Sequence, residues 1–492
     1  MVQEILKKPP LFRTTRVFTK LRNISGWTFA IFALVLGQAT LVTCLQWDIH
    51  RGLGTSAFDV GLYDQGIWLM SRFKAPFVTL MGRNLLGDHS SLILLFVVPI
   101  YWFAAGTETL LALQAFVIAA GAIPIYFFAR RTLQSGCLGF LMAVVWLVNP
   151  AVNGTNLENF HPDSFLGLFV PIALVCALSK KWLGYWIALG LCLLVKEDVV
   201  LIVLPLGVLL SVRGEKRRGL ITAVAGIVAA LAGTFLLMRS LIGVPTRNGW
   251  RIPFGGVGGF IKECFTRPTN VIKYLSSDER PVYLWKMFAP LAFMSFLAPE
   301  VVMVSALVLF SNMVSTFWYQ FHIEYHYSLV AVPALVLAVV VGAGRLGGRA
   351  RHVVVGVVVT TSLLAANAWS YIPFRTDEYP HWASDYPVAQ SSRDILRLIP
   401  EDASISVYHS LAPHVTHRVE VYMFPNPFSM SMYGTDVSTE GQRNSRADGV
   451  EYVIVPKQLD AKMALDVASI SDEFVEFAGN EDWQVLIRRE LS

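Results

Sequence analysis

Ionisable side chains fall in five segments of an otherwise apolar chain, and acid/base or phosphate chemistry is what they could perform together. FDVGLYDQGIW, residues 58–68, carries Asp59 and Asp64 among aromatic side chains. Positions five apart align poorly on a helix, so the two carboxylates would not form one tight dyad; one could act as a base while the other orients a partner. Gly-Asp-His at 87–89 adds Asp88 and His89, the latter a group that titrates near neutrality. NLENFHPDSF, 156–165, holds Glu158, His161 and Asp163, and WYQFHIEYHY, 318–327, holds His322, Glu324 and His326. The sharpest signal is Lys196-Glu197-Asp198 inside LCLLVKEDVVLIVLP, because ionisable groups at membrane depth are costly and usually face a protein interior or a watery cavity.

Each cluster has an ordinary reading as well. Asp59 and Asp64 suit a solvated surface helix, and His89 a hydrogen-bonded loop position. Asp163 or Ser164 suits a helix cap, Lys196 a structural ion pair, and the 318–327 aromatics an interfacial belt. Five such segments on one face are less easily explained singly than as one cavity. Arg247, Arg251, Lys262, Arg267 and Lys273 of the segment 242–283 could hold a phosphate-bearing lipid head. His322 and His326, four apart, could bind a metal on a helix, but no third ligand follows at fixed spacing, so no metal residues are assigned and a divalent cation stays open.

The elements that must position these residues are membrane helices. With 54% hydrophobic and 15% charged residues, the chain is too apolar for a soluble protein. Windows at 26–45, 108–128, 134–151, 163–179, 182–195, 197–212, 219–241, 284–298, 299–316, 327–343 and 352–373 predict about eleven spans. With 1–25 as a cytoplasmic segment, this set puts Arg130/Arg131, Lys180/Lys181, the basic run 213–218 and Arg345/Arg349/Arg351 inside. The segment 91–106 is short and would reverse every later loop if it crossed, so it is read as a juxtamembrane helix of the first external loop, 46–107. The membrane domain then spans 26–373, in the cytoplasmic membrane.

Residues 374–492 are a different object. They carry 10 basic and 19 acidic residues, against 30 and 16 in 1–373. The runs at 403–408, 419–422, 450–455 and DWQVLIRREL read as strands, with helices around 390–398 and 459–467, giving a small α/β extracytoplasmic domain. Its acidity argues against a nucleic-acid partner. The five cysteines make neither a disulfide framework nor a CxxC site.

FDVGLYDQGIW, GDHSSLILLFVVPIY, NFHPDSF, LVKEDV, YHYSLVAVPAL and LAPHVTHRVEVYMFP resemble the predicted membrane-protein family called domain of unknown function 2079. The layout resembles the GT-C type of membrane glycosyltransferase. That resemblance implies a polyprenyl-phosphate sugar as donor, an extracytoplasmic glycan, lipid or protein as acceptor, and an acidic residue of the first external loop as base or metal ligand. Carried onto this chain, the catalytic candidates are Asp59, with Asp64 competing, and His89; Asp59-Val60 replaces the adjacent Asp-Glu pair of several GT-C groups. Glu158, His161, Lys196, Glu197, Asp198, His322, His326, Arg247 and Arg251 are expected to bind substrate. The alternative is a transporter or lipid flippase of the cell envelope using Lys196, Glu197 and Asp198 as a proton relay, a reading that lacks the internal repeats such proteins show.

Overall fold

The structure, a computed structural model, describes residues 26–246 and 248–492. The basic N-terminal segment and Arg247 lie outside the described residues. Among the described residues five helices are long and apolar enough to cross a membrane: Gly26–Arg51, Thr107–Thr132, Lys216–Ile242, His326–Arg345 and Gly348–Trp369. A sixth crossing is counted if Gly136–Leu147 and Pro150–Leu157, bent by 45°, act as one. The bend has a local cause: Pro150 has no N–H to continue the ladder, and the Asn149 side chain caps Ala151 N as a new helix start.

The remaining apolar windows form shorter helices, Pro162–Leu178, Trp182–Leu193 and Pro299–Val314 among them. The window 284–298 breaks instead of spanning. Its helix stops at Phe288, and two 3-10 turns follow around Ala292 and Phe293, both at positive φ. Segment 91–106 forms two short helical turns, Leu92–Phe96 and Val98–Tyr101. Nine such residues reach roughly 14 Å even at α-helical rise, too little to cross.

The C-terminal unit is the expected small α/β domain. Its strands β1 (Ile405–Val407), β2 (Val421–Met423), β3 (Tyr452–Pro456), β4 (Phe474–Gly479) and β5 (Trp483–Arg488) lie in the order β2-β1-β3-β5-β4. β1 runs parallel to β2 and β3, and β5 is antiparallel to both its neighbours. Strand β4 was not among the sequence expectations: its middle is exposed and it carries a bulge between Glu476 and Ala478, so the alternation of apolar residues is short. Edge strand β2 is covered by the loop that follows Gly26–Arg51, where the Thr79 hydroxyl donates to Val421 O at 2.7 Å and accepts from Val421 N at 3.0 Å. Gln65 adds a bond to Thr79 at 2.8 Å, so loop and soluble domain share one buried polar seam.

Candidate active site

Asp59 sits on an irregular turn, Ala57–Gly61, rather than on the helix that starts at Leu62. Its φ of +69° with ψ of −100° is a conformation few L-residues adopt, of a kind that costs on the order of 1–3 kcal/mol and persists only when the surroundings enforce it. The enforcement is visible. Asn159 Oδ1 accepts from Ser56 N at 3.2 Å, and Ala57 N donates to His409 O at 3.0 Å, so the membrane domain and the soluble domain each grip the turn. The carboxylate is left 41% exposed, with Oδ1 3.2 Å from His161 Nε2.

His161 is buried between two oxygen acceptors, since its Nδ1 lies 2.8 Å from Asn159 O while Nε2 faces Asp59. Both nitrogens must therefore donate, which requires the imidazolium. Burial opposes that charge, but the carboxylates of Glu158 and Asp59 outweigh it and raise His161 to about 9. For Asp59, burial is again opposed, here by His161, His326 and Lys196, and its carboxyl is held below the usual range.

The His326 ring stacks on His161 with centroids 3.7 Å apart. Glu158 Oε2 accepts from His326 N at 2.6 Å and Nδ1 at 3.0 Å. This packing depends on Gly154, where a Cβ would lie 2.5 Å from Ile323 O and 2.7 Å from Glu324 Cα. Glu158, His161 and His326 present metal-ligating atoms all within 4.8 Å of one another, a donor set suited to a zinc-class ion. In this arrangement, however, His161 offers no lone pair, and the hydrogen bonds satisfy the group with protons.

The Lys196 segment brings a second set alongside. Lys196 Nζ lies 3.6 Å from both Asp163 Oδ2 and Asp198 Oδ2, and 5.9 Å from the centre of the Tyr327 ring. Glu197 Oε1 is 2.7 Å from His89 Nδ1, while its Oε2 accepts from Ser90 N at 3.0 Å. Burial and Lys196 both oppose charge on His89, but Glu197 and Asp88 prevail and raise it. Asp88 in turn pairs with Arg83 at 2.8 Å. Gly233 makes this approach possible, because a Cβ there would lie 2.7 Å from Ser90 Oγ and 3.3 Å from Glu197 Cβ. It sits in the π-helical stretch Ala232–Met238.

Of these, His89, Asp163, Lys196, Glu197, Asp198 and Tyr327 border a cavity of about 400 Å³. Its lining joins the ionisable side chains of His89, Asp163, Lys196, Glu197, Asp198 and Arg251 to apolar ones such as Leu201, Ile202, Phe260 and Phe310. Arg251 is the cation with spare capacity. It stacks on Phe317 at 4.0 Å and donates to Tyr327 Oη at 3.3 Å, while its Nε is buried without a hydrogen-bond partner.

Other candidates go elsewhere. Asp64, 1% exposed, accepts from Tyr101 Oη at 2.5 Å, from Thr107 Oγ1 at 3.3 Å and from the Thr416 hydroxyl, with His417 Nε2 at 3.4 Å. It belongs to the junction with the soluble domain, apart from Asp59. His322 bonds Trp318 O at 2.8 Å and Glu279 at 3.0 Å, and a turn separates it from His326, so the two histidines form no helical metal pair. Lys262, Arg267 and Lys273 are exposed and line no part of the cavity. Tyr327 and Arg83 were missed in the sequence. Arg83, five residues before Asp88, was a legible signal; Tyr327 looked like any interfacial aromatic.

The family described as "Predicted membrane protein (DUF2079)" matches residues 49–471. No curated protein sequence matches the chain. Among solved structures, ArnT from Cupriavidus metallidurans bound to undecaprenyl phosphate is similar with a TM-score of 0.56 and 14% identity, over 94% of this chain and 98% of that one. The apo state of the same protein gives a TM-score of 0.58 at 14% identity, over 94% and 97%. At that identity the likeness establishes the fold alone, a polytopic membrane fold like that of ArnT.

Proposed function

Because the chain belongs to the DUF2079 family of membrane proteins, and shares its fold with a protein that binds undecaprenyl phosphate, we propose that it is a membrane glycosyltransferase using a polyprenyl-phosphate sugar. The observation that carries this reading is a cavity lined by both apolar side chains and ionised groups, Arg251 among them, to which the partly exposed Asp59 carboxylate is linked through His161, two residues from the lining Asp163. An amphiphile with a phosphate head fits such a lining. The prenyl chain lies along the apolar side chains, and the phosphate meets Arg251, since Lys196 is already balanced by two carboxylates.

In the proposed reaction an acceptor hydroxyl hydrogen-bonded to Asp59 attacks the anomeric carbon from the side opposite the phosphate. The new C–O bond forms as the bond to phosphate oxygen breaks, the polyprenyl phosphate departs, and the acceptor proton passes to Asp59, with inversion. A carboxylate held ionised by His161 is a weak base, but phosphate is a good leaving group and the hydroxyl sheds its proton late. Orientation and charge neutralisation then supply most of the effect. The positive-inside pattern supports a cytoplasmic N-terminus, and with it a site and a domain 374–492 on the outer face of the cytoplasmic membrane.

The test is sugar transfer in membranes supplied with polyprenyl-phosphate sugars. Replacing Asp59 with Asn should abolish product while the protein remains folded, and unchanged transfer would remove Asp59 from the reaction.

A further inference from the structure

The soluble and membrane domains enclose a second cavity, of about 780 Å³, whose chemistry differs from that of the first. It borders the other side of the Asp59 turn. The 412–414 turn that helps line it lies against Gly61 through Pro413, two residues from Asp59. Most of its lining side chains are polar or charged, and four are arginines: Arg51, Arg393, Arg397 and Arg418.

The carboxylates present answer only part of that charge: Glu401 lines the cavity but is exposed, and Asp394 pairs with Arg397 at 3.1 Å where both are open to solvent. Glu108 is fully engaged by Arg51, with bonds of 2.7 and 3.0 Å, and Asp64 is occupied by the hydroxyls of Tyr101, Thr107 and Thr416. Arg393 bonds main-chain carbonyls, Ser384 O at 2.9 Å and Arg51 O at 3.3 Å. Arg418 likewise bonds Pro400 O and, at 3.3 Å, Ala403 O. Among the described residues neither has a carboxylate within ion-pair distance. His414, stacked on His50 at 4.2 Å, leaves Nε2 buried and without a hydrogen-bond partner. Guanidinium groups whose charge is not answered by the protein are ready for a planar or tetrahedral oxyanion, which they bind through paired N–H donors. With thirteen of its nineteen lining residues polar or charged, the cavity favours a water-soluble ligand.

We propose that this cavity binds a phosphate or carboxylate group on a sugar, and that such an anionic glycan is the acceptor presented to Asp59. The second half rests on the transfer reading above. The site recognises charge through Arg393, with Arg397 at its exposed rim, where its ion pair with Asp394 is open to water and exchangeable for a ligand oxyanion, while the polyprenyl phosphate occupies the cavity at Arg251.

Equilibrium dialysis of the purified full-length chain in detergent tests this with four labelled probes: glucose 6-phosphate, glucuronate, glucose and polyprenyl phosphate. Glucose 6-phosphate or glucuronate should bind saturably and glucose should not, the stronger of the two anions identifying phosphate or carboxylate as the recognised group. Arg393→Gln should weaken anion binding at least tenfold and leave polyprenyl phosphate binding unchanged. Arg397→Glu, at a residue 76% exposed whose loss does not disturb the core, should do the same and guards against misfolding of the first variant. Absence of saturable anion binding, equal binding in both variants, or displacement of the anion by polyprenyl phosphate would overturn the proposal. Failure of polyprenyl phosphate itself to bind would instead sink the transferase reading, and is read in a separate arm.

Discussion

Asp59 and Asp64 enter the sequence as equals, two carboxylates in one aromatic stretch, and the fold separates them completely. Asp59 lies on a turn held at positive φ, with an imidazolium at 3.2 Å and much of its carboxylate open. Asp64 lies on a regular helix, 1% exposed, with hydroxyl donors from Tyr101, Thr107 and Thr416 filling its lone pairs. One region stores strain and leaves capacity for a ligand; the other spends its hydrogen bonds on joining two domains. The lesson is that acidity in a loop is not itself a site. What distinguishes a reactive carboxylate is charged partners together with an unfilled coordination sphere.

The most direct way to break this contrast is substitution at Asp59. Asp59→Asn keeps the size and one acceptor oxygen but removes the base and its ion pair, and transfer should fall by roughly 10²- to 10⁴-fold. Next in size is the phosphate anchor. Arg251→Gln removes the guanidinium with spare capacity, and retention of labelled polyprenyl phosphate should weaken by roughly 10- to 100-fold, equivalent to about 1.5–3 kcal/mol for charge-assisted hydrogen bonds. Retention equal to that of the unaltered protein would place the phosphate elsewhere.

A smaller effect comes from the proton on His161. Its folded value, about 9, lies above the ordinary 6.5, so its contribution to holding Asp59 is fully present below 6.5 and is lost as pH rises through 9. Transfer should therefore decline on the alkaline side, by about tenfold per pH unit once the imidazolium is the minor form. In His161→Gln that alkaline decline should disappear from the pH–rate profile. A decline that persists in the variant would assign it to another group.

How much of this the sequence revealed depended on the range of the interaction. Lys196-Glu197-Asp198 stood out because a charged triplet inside an apolar run is anomalous without any partner being known, and the fold does surround it with Asp163, His89 and Tyr327. The strands at 405, 421, 452 and 483 were legible because β-type runs are local patterns. Asp64 was not, since its partner Thr416 lies 352 positions away. His322 and His326 could be read as a helical pair because spacing alone cannot show that His322 closes one 3-10 turn in extended conformation while His326 opens the next. The broken window 284–298 was misread for a related reason: mean hydropathy registers apolar residues but not the backbone reversal at Ala292 and Phe293.

The smallest expected effect on transfer is at Asp64, and it sharpens the contrast most. An asparagine there has nearly the same shape, and its carbonyl oxygen still accepts from Tyr101 or Thr416. Its amide, however, turns a donor toward hydroxyls that must rotate to accept it, and the buried junction loses part of its bonding. That should lower unfolding stability by about 1–3 kcal/mol, read as earlier melting of Asp64→Asn in detergent. Because nothing at Asp59 touches Asp64, transfer per folded molecule should stay within a few-fold of the unaltered protein. The converse pattern, unchanged melting with transfer lost as severely as in Asp59→Asn, would exchange the roles of the two carboxylates. It would also move the reacting centre from the cavity at Arg251 to the arginine-lined cavity between the domains, where, among the described residues, Asp64 is the one lining carboxylate neither paired to an arginine nor open to solvent.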